Sequence, residues 1–256
     1  MSENPLNAAL DAASVTPGDP WLPVEVRERV GSTNDEVRAD PRPWRVLVAE
    51  VQETGRGRLG RAWTTTPGTA LAVSVCVPVP ASGAGWVPLL AGLALHRAVS
   101  EVAGVATSLK WPNDVLVPGD GDRKLAGLLC EWVPPAGVVV GCGVNVDTPR
   151  AELPLDTATS LRAAGAPGVD RAALLTSYLR HLAAVLREDT GPAGPSVAAY
   201  RDACGTVGRD VEVHQPDGSV RRGRATGVDA EGRLAVRTEG GTTSVSAGDV
   251  VHVRSR

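Results

Sequence analysis

Of the 26 basic residues in this 256-residue chain, two are lysines, Lys110 and Lys124, and all the others are arginines. A planar guanidinium is a poor replacement for a compact, strongly hydrated ammonium, so two lysines standing out against such a bias are candidates for chemistry. A second concentration of charge lies in Gly55-Arg56-Gly57-Arg58-Leu59-Gly60-Arg61. Glycines let main-chain N–H groups approach a ligand closely, and guanidiniums give paired hydrogen bonds to carboxylate or phosphate. The combination suits wrapping around an anion. The same residues satisfy G-x-G-x-x-G, but a dinucleotide fingerprint needs a helix opening at the motif and an acid about 20 residues further on. Here Ala62-Trp63-Thr64-Thr65-Thr66-Pro67-Gly68 is a poor helix, and no Asp or Glu occurs between Glu53 and Glu101. A Rossmann dehydrogenase is disfavoured on both counts, and no Walker G-x-x-x-x-G-K-[ST] spacing occurs.

The elements that must position these groups follow from the pattern of apolar residues. Residues 1–22, rich in Pro, Ala, Asn and Asp, read as a flexible tail, too short for a DNA-binding domain. Residues 32–40 open with Ser-x-x-Asp, a helix start. Residues 46–51 and 71–77 read as buried strands on either side of the Gly/Arg segment. Residues 86–102 have the spacing of a core-facing helix, with Leu89, Leu90, Leu93, Ala94 and Ala98 on one side. Strands are predicted at 108–110, 115–117, 124–132 and 138–146. Asp170 should cap a second long helix striped by Leu174, Leu175, Tyr178, Leu179, Leu182 and Leu186. Past Gly205, short Val-rich runs broken by Pro216-Asp217-Gly218, Glu231-Gly232 and Glu239-Gly240-Gly241 predict four or five antiparallel strands closing into a small barrel.

Composition narrows the function classes. Hydrophobic residues make up 43% of the chain, enough for a core, and no apolar run reaches membrane-span length. No secretory signal opens it, so the default compartment is the cytoplasm. Four cysteines and four histidines are scattered without ligand spacing, so no disulfide framework and no zinc, haem or flavin is expected. A net charge of −3 gives no reason to expect nucleic-acid binding. The Arg221-Arg222-Gly223-Arg224 cluster is offset by seven acidic residues in the same region and reads as a solvated strand face.

Taken in order, several motifs resemble those of the biotin protein ligases: Ser32-Thr33-Asn34, the Gly55 to Arg61 segment followed by Trp63, Lys110-Trp111-Pro112-Asn113-Asp114, Arg123-Lys124-Leu125-Ala126-Gly127, Gly141-Cys142-Gly143-Val144-Asn145 and Thr159-Ser160-Leu161. They span roughly residues 30–161, and both lysines fall inside them. Leu59 departs from the pattern, since some relatives carry a further basic residue there. Relatives that also repress transcription carry an N-terminal helix-turn-helix domain that this chain does not show.

The resemblance implies an α+β fold: a mixed, largely antiparallel sheet flanked by helices, of the class II synthetase-like kind, in residues 23–204, and a small SH3-like domain in 205–256. It implies a ligase that joins biotin to ATP as biotinyl-5'-adenylate and then passes biotin to the acceptor lysine of a biotin carboxyl carrier domain. Bringing two unit negative charges to about 3.5 Å at an effective dielectric of 20 costs about 5 kcal/mol, which fixed cations must offset. By the resemblance, Lys124, Arg58 and Lys110 are catalytic. Ser32, Thr33, Gln52, Gly55, Arg56, Arg58, Lys124 and Gly127 contact biotin; Arg58, Arg61, Trp63, Lys110, Asn113 and Asn145 face ATP; and Asp114 faces magnesium. ATP with Mg2+ and biotin are thus the substrates and a carboxylase carrier domain the protein partner, with no nucleic acid and no membrane, the chain being a monomer or homodimer.

Residue type alone leaves plainer readings open. Ser32 and Thr33 would equally cap a helix, Asn113-Asp114 form a turn, Gly127 and Gly143 let strands pack closely, and Trp63 and Trp111 serve packing. Rival functions are a lipoate or octanoate ligase of the same fold, a non-catalytic sensor of biotin, and an RNA-binding barrel.

Overall fold

A computed structural model describes residues 9–188, 191–215, 217–246 and 248–253. Two sheets organise it. The larger is built from β1 (Glu25–Val30), β2 (Val46–Gln52), β3 (Ala70–Val77), β4 (Ser108–Lys110), β5 (Asp114–Val117), β6 (Arg123–Val133) and β7 (Gly137–Asn145), in the order β1-β2-β3-β7-β6-β5-β4. Apart from the parallel pair β1 and β2, all neighbours run antiparallel. The smaller sheet holds β8 (Asp210–His214), β9 (Val220–Val228), β10 (Leu234–Thr238), β11 (Gly241–Val245) and β12 (Asp249–His252), ordered β11-β10-β9-β8-β12. Its five antiparallel strands match the predicted number, but among the described residues the outer strands β11 and β12 do not pair. The expected closure into a barrel is therefore corrected to an open sheet.

One face of the larger sheet is covered by helices. Leu71, Val73 and Val75 of β3 and Val138, Val140 and Val144 of β7 are buried there with leucines of α2 (Val87–Ala103) and α3 (Arg171–Arg187). Pro88 stands in the first turn of α2 and left-handed Gly104 ends it, the asymmetry that fixed φ and a missing Cβ favour. Asp170 caps α3 by accepting from the Ala172 N–H at 2.8 Å, as the sequence predicts. Two elements were not anticipated: β1, whose charged residues hide its strand character, and α4 (Pro195–Ala203), which packs beside α2.

The tail expected to be flexible is ordered over its described part. Leu10, Val15 and Trp21 are buried in the core, and Trp21 Nε1 donates to the Leu179 carbonyl at 2.9 Å. Residues 1–8 lie outside the described residues. Glu50 explains the docking. It is buried in β2, takes both Arg171 Nη atoms at 2.9 and 3.1 Å, and accepts from the main-chain N–H of Leu10 and Gly68. Burial pushes its carboxyl up, but the Arg171 and backbone hydrogen bonds outweigh that and leave it below its ordinary value.

The smaller sheet is fused to the larger. Trp86 Nε1 donates to the Ala230 carbonyl and Trp111 Nε1 to the Gly232 carbonyl, at 2.8 and 2.9 Å. Gly85 lies so close that a Cβ there would stand 2.4 Å from the Glu231 carbonyl oxygen. No helix among the described residues is long and apolar enough to cross a membrane.

Candidate active site

The face of the large sheet opposite α2 and α3 is covered in part by the helix Thr33–Ala39, whose Val37 packs with Leu47, Cys76 and Val139, and beyond that helix it is open because of its residue types. Strand register aligns Ala49, Ala72, Gly143, Gly127, Asp114 and Lys110 across β2, β3, β7, β6, β5 and β4. Directly opposed residues in an antiparallel pair share a face, so this row is a floor of small side chains ending in a carboxylate and an ammonium. Over it lies a cleft of about 1240 Å³ lined by seven cationic and four acidic side chains, a positive hollow in a chain of net charge −3.

Lys124 reaches that floor through an irregularity. In unbroken alternation Lys124 and Gly127 would face opposite sides of β6. The pairing of β5 with β6 slips between Val115 and Leu116, leaving Leu125 as an extra residue, and both Leu125 and Ala126 turn into the core. The bulge re-aims Lys124 into the cleft. Its side chain lies over Gly127, where a Cβ would stand 2.9 Å from Lys124 Cε and Nζ, and its Nζ is 2.7 Å from Asp114 Oδ1. Asp114, expected to face magnesium, is thus the partner of Lys124. Among the described residues no group of three or more His, Cys, Asp or Glu could hold a metal by itself.

Trp63 lies in a slot over Gly143, where a Cβ would stand 2.3 Å from its ring, with Lys124 Nζ 5.8 Å from a ring centroid. Its buried Nε1 has no hydrogen-bond partner. Gly55 alone of the expected site residues does not line the cleft. It acts as the stitch that closes the Gly/Arg loop: its carbonyl accepts from Trp63 N–H at 2.8 Å, and a Cβ would stand 2.4 Å from the Trp63 carbonyl. Between these ends Arg56 pairs with Asp35, Arg61 with Asp249 of β12, and Arg58 Nη1 stands 3.5 Å from Asn113 Oδ1. Burial lowers the pKa of Arg58, and Asp114 and Asp249 partly offset it. At the loop tip Leu59 has φ +56°, a left-handed conformation uncommon outside glycine.

At the other end of the cleft, Ser32 precedes α1 (Thr33–Ala39) without a side-chain cap bond and lines the cleft. Thr33 N–H and Oγ1 both reach Gln52 Oε1 at 2.9 Å. Ser74 Oγ stands 2.7 Å from Thr33 Oγ1 and 2.6 Å from Asn34 Oδ1, while Asn34 Nδ2 donates to Glu131 Oε2 at 2.7 Å and to the Leu129 carbonyl. The two hydroxyls carry two protons for three short oxygen contacts, so this wall is one donor short. Asn145 Nδ2 donates to the Thr159 carbonyl at 2.9 Å, and Lys124 N–H to that of Thr157, tying β6 and β7 to the segment beyond. Burial pushes the Cys142 thiol up to about 12 and Cys130 higher still, so neither is a nucleophile near neutrality.

Lys110, Lys124 and Arg58 therefore surround one hollow together with Ser32, Thr33, Gln52, Arg56, Arg61, Trp63, Asn113, Asp114, Gly127 and Asn145. Sequence reasoning placed Asn34 in a motif without giving it a role and missed Ser74. The signal for Ser74 was a lone hydroxyl in the apolar run of β3. It also missed Arg209, Asp249 and His252 of the second sheet, which carry no motif. His252 is pushed down to about 4 by burial and by neighbouring Lys110 and Arg209.

Residues 27–145 match the biotin/lipoate A/B protein ligase family, and residues 206–253 match the biotin protein ligase C-terminal domain. The biotin--[acetyl-CoA-carboxylase] ligase of Mycobacterium tuberculosis is 40% identical over 249 residues, 93% of this chain and 91% of that protein. The bifunctional ligase/repressor of Bacillus subtilis is 29% identical over 215 residues, 80% of this chain and 65% of its own. Among solved structures, the biotin protein ligase from Aquifex aeolicus in complex with biotin and ATP has a TM-score of 0.76 at 26% identity, covering 91% of this chain and 99% of that one. With sequence similarity running the length of a relative and both of its domains matched in order, this chain belongs to the biotin protein ligase family.

Proposed function

We propose that this chain activates biotin with ATP to biotinyl-5'-adenylate and transfers biotin to the acceptor lysine of a biotin carboxyl carrier domain. The observation that carries the reading is the meeting of Lys110, Lys124 and Arg58 over a floor of glycine and alanine, with a donor-short polar wall at one end. A ureido ring supplies N–H donors, and the Thr33 hydroxyl oxygen, which lines the cleft and is backed by buried Ser74, can accept one. The biotin carboxylate then points along the floor toward Lys124. Its oxygen attacks the α-phosphorus of ATP; the new P–O bond forms as the bond to the β-phosphate oxygen breaks, and pyrophosphate leaves.

Before substrates arrive, Asp114 neutralises Lys124. Two anions entering the cleft compete for that ammonium, and charge that the carboxylate had balanced becomes available to the reacting oxygens. Lys110, Asn113, Asn145, Arg61 and Trp63 are placed for the nucleotide, which enters as its magnesium complex. Asp114 would be the carboxylate to hold that ion. Arg56 and Arg58 ride on the loop stitched at Gly55 and shield the adenylate from water. In the second step the unprotonated acceptor amine attacks the anhydride carbonyl and AMP departs.

The test is direct. The chain, ATP, Mg2+, biotin and a carrier domain are mixed and the carrier is weighed by mass spectrometry, with the expected result a gain of one biotinyl group. ATP–pyrophosphate exchange started by lipoate or octanoate but not by biotin would replace the reading with that of the sister ligases. Binding of biotin without either reaction would reduce the chain to a sensor.

A further inference from the structure

Large apolar side chains exposed to solvent are few among the described residues: Leu22, Leu59, Val79, Trp132, Leu155, Val220, Val251 and Val253. Half of them, Leu59, Leu155, Val251 and Val253, stand on the lining of one cleft, although they come from three segments distant in sequence. They are 62, 65, 46 and 48% exposed. Leu59 occupies the tip of the Gly/Arg loop, Leu155 the segment beyond β7, and Val251 and Val253 the last strand of the second sheet and its exit. The conformation at Leu59 strengthens the point, because a left-handed backbone favours glycine and water favours a polar side chain. A leucine there goes against both preferences.

We propose that these four residues form the docking lip for the carrier domain, and that the carrier face they fit is an apolar patch flanked by acidic side chains around its acceptor lysine. The inference rests on the ligase reading above. A lysine amine extends one side-chain length from its own backbone, so for it to reach an anhydride held at Lys124 the carrier backbone must come down onto the rim of the cleft. What stands on that rim is what the carrier touches. The excess of cationic over acidic side chains in the lining selects an acidic face and opposes the pairing of this lip with the same lip of a second copy. Lying on three segments, the lip senses the carrier only when the loop and the second sheet stand in their observed positions.

The full chain is assayed in two ways. Biotin-driven ATP–pyrophosphate exchange reads adenylate formation alone, and labelling of a biotin carboxyl carrier domain reads docking as well. In Leu155→Glu, in Val253→Glu and in the two combined, exchange is expected to keep the wild-type rate while the KM for the carrier domain rises about tenfold per substitution. Capture of the adenylate by hydroxylamine, which needs no docked domain, should be unchanged. Val79→Glu, an exposed apolar residue off the cleft, should leave both assays as they were. An unchanged carrier KM in the double variant overturns the proposal. So does a parallel loss of exchange, which would place the residues inside the reacting site. A wild-type KM accompanied by a shift in sedimentation from dimer to monomer overturns it too, and reassigns the lip to self-association. A wild-type chain without biotin-driven exchange would strike down the ligase reading and this one together, whereas normal exchange with unaltered KM strikes down the lip alone.

Discussion

At the scale of single residues, the site depends on which charge Lys124 faces. Lys124→Ala should lower biotin-driven exchange by about 10²–10³, the usual loss when one stabilising group is removed from a developing charge. Lys124→Arg should not restore it, since a planar guanidinium does not reproduce a compact ammonium point charge. Activity of Lys124→Ala within a few-fold of wild type would refute the role. Gly143→Ala tests the floor: a Cβ 2.3 Å from the Trp63 ring must expel the indole, so the KM for ATP should rise while the fold, followed by circular dichroism, is kept. Arg58→Gly should loosen the loop and release adenylate, read as biotin appearing on bystander lysines; labelling confined to the carrier would contradict this. Much of this was legible from residue types. The two lysines stood out by count, and both line the cleft. The pairing of Lys124 with Asp114 was not legible, because it depends on strand register.

At the scale of elements, the sequence pattern is strongest where periodicity and burial agree, as in α2, α3, β2, β3 and β7. It failed at β1 and, while finding β6, did not show which way the β6 side chains face. The alternation in β1 is carried by Glu and Arg, which resemble a loop, and in β6 one extra residue reverses the facing of Lys124 relative to Gly127. Two adjacent buried residues, Leu125 and Ala126, were the available hint of that bulge. The Glu50–Arg171 pair, joining β2, α3 and the N-terminal segment, is buried, so removing one partner strands a charge. Arg171→Leu should cost about 3–5 kcal/mol, measured by urea unfolding, and Glu50→Gln together with Arg171→Met should cost less than either alone. The Glu50 carboxyl sits below its ordinary value when folded, so its contribution is present above the unfolded pKa and is lost as pH falls through the folded one. The wild type should therefore lose stability on acidification below the usual carboxylate range, and the double variant should lose less.

For the molecule as a whole, the two sheets form one working unit. The onset of a second, strand-rich region past Gly205 could be read from turn spacing, whereas the fold class came from the family resemblance. The open edge of that sheet and its share in the cleft could not, because Arg209, Asp249 and His252 carry no motif and act only through placement. Deleting residues 205–256 should leave two buried indole N–H groups, of Trp86 and Trp111, without acceptors, besides losing Asp249 from the Gly/Arg loop. Such a truncation is expected to aggregate or to unfold at markedly lower temperature, and a soluble, fully active fragment would disprove the dependence. The same two indoles have a further consequence. Because each gives its proton to a carbonyl across the seam, partial separation of the halves would bring both rings to water while the helices remain intact. Emission from these tryptophans should then move to longer wavelength ahead of any fall in far-ultraviolet ellipticity, giving an optical signal of opening that needs no attached dye.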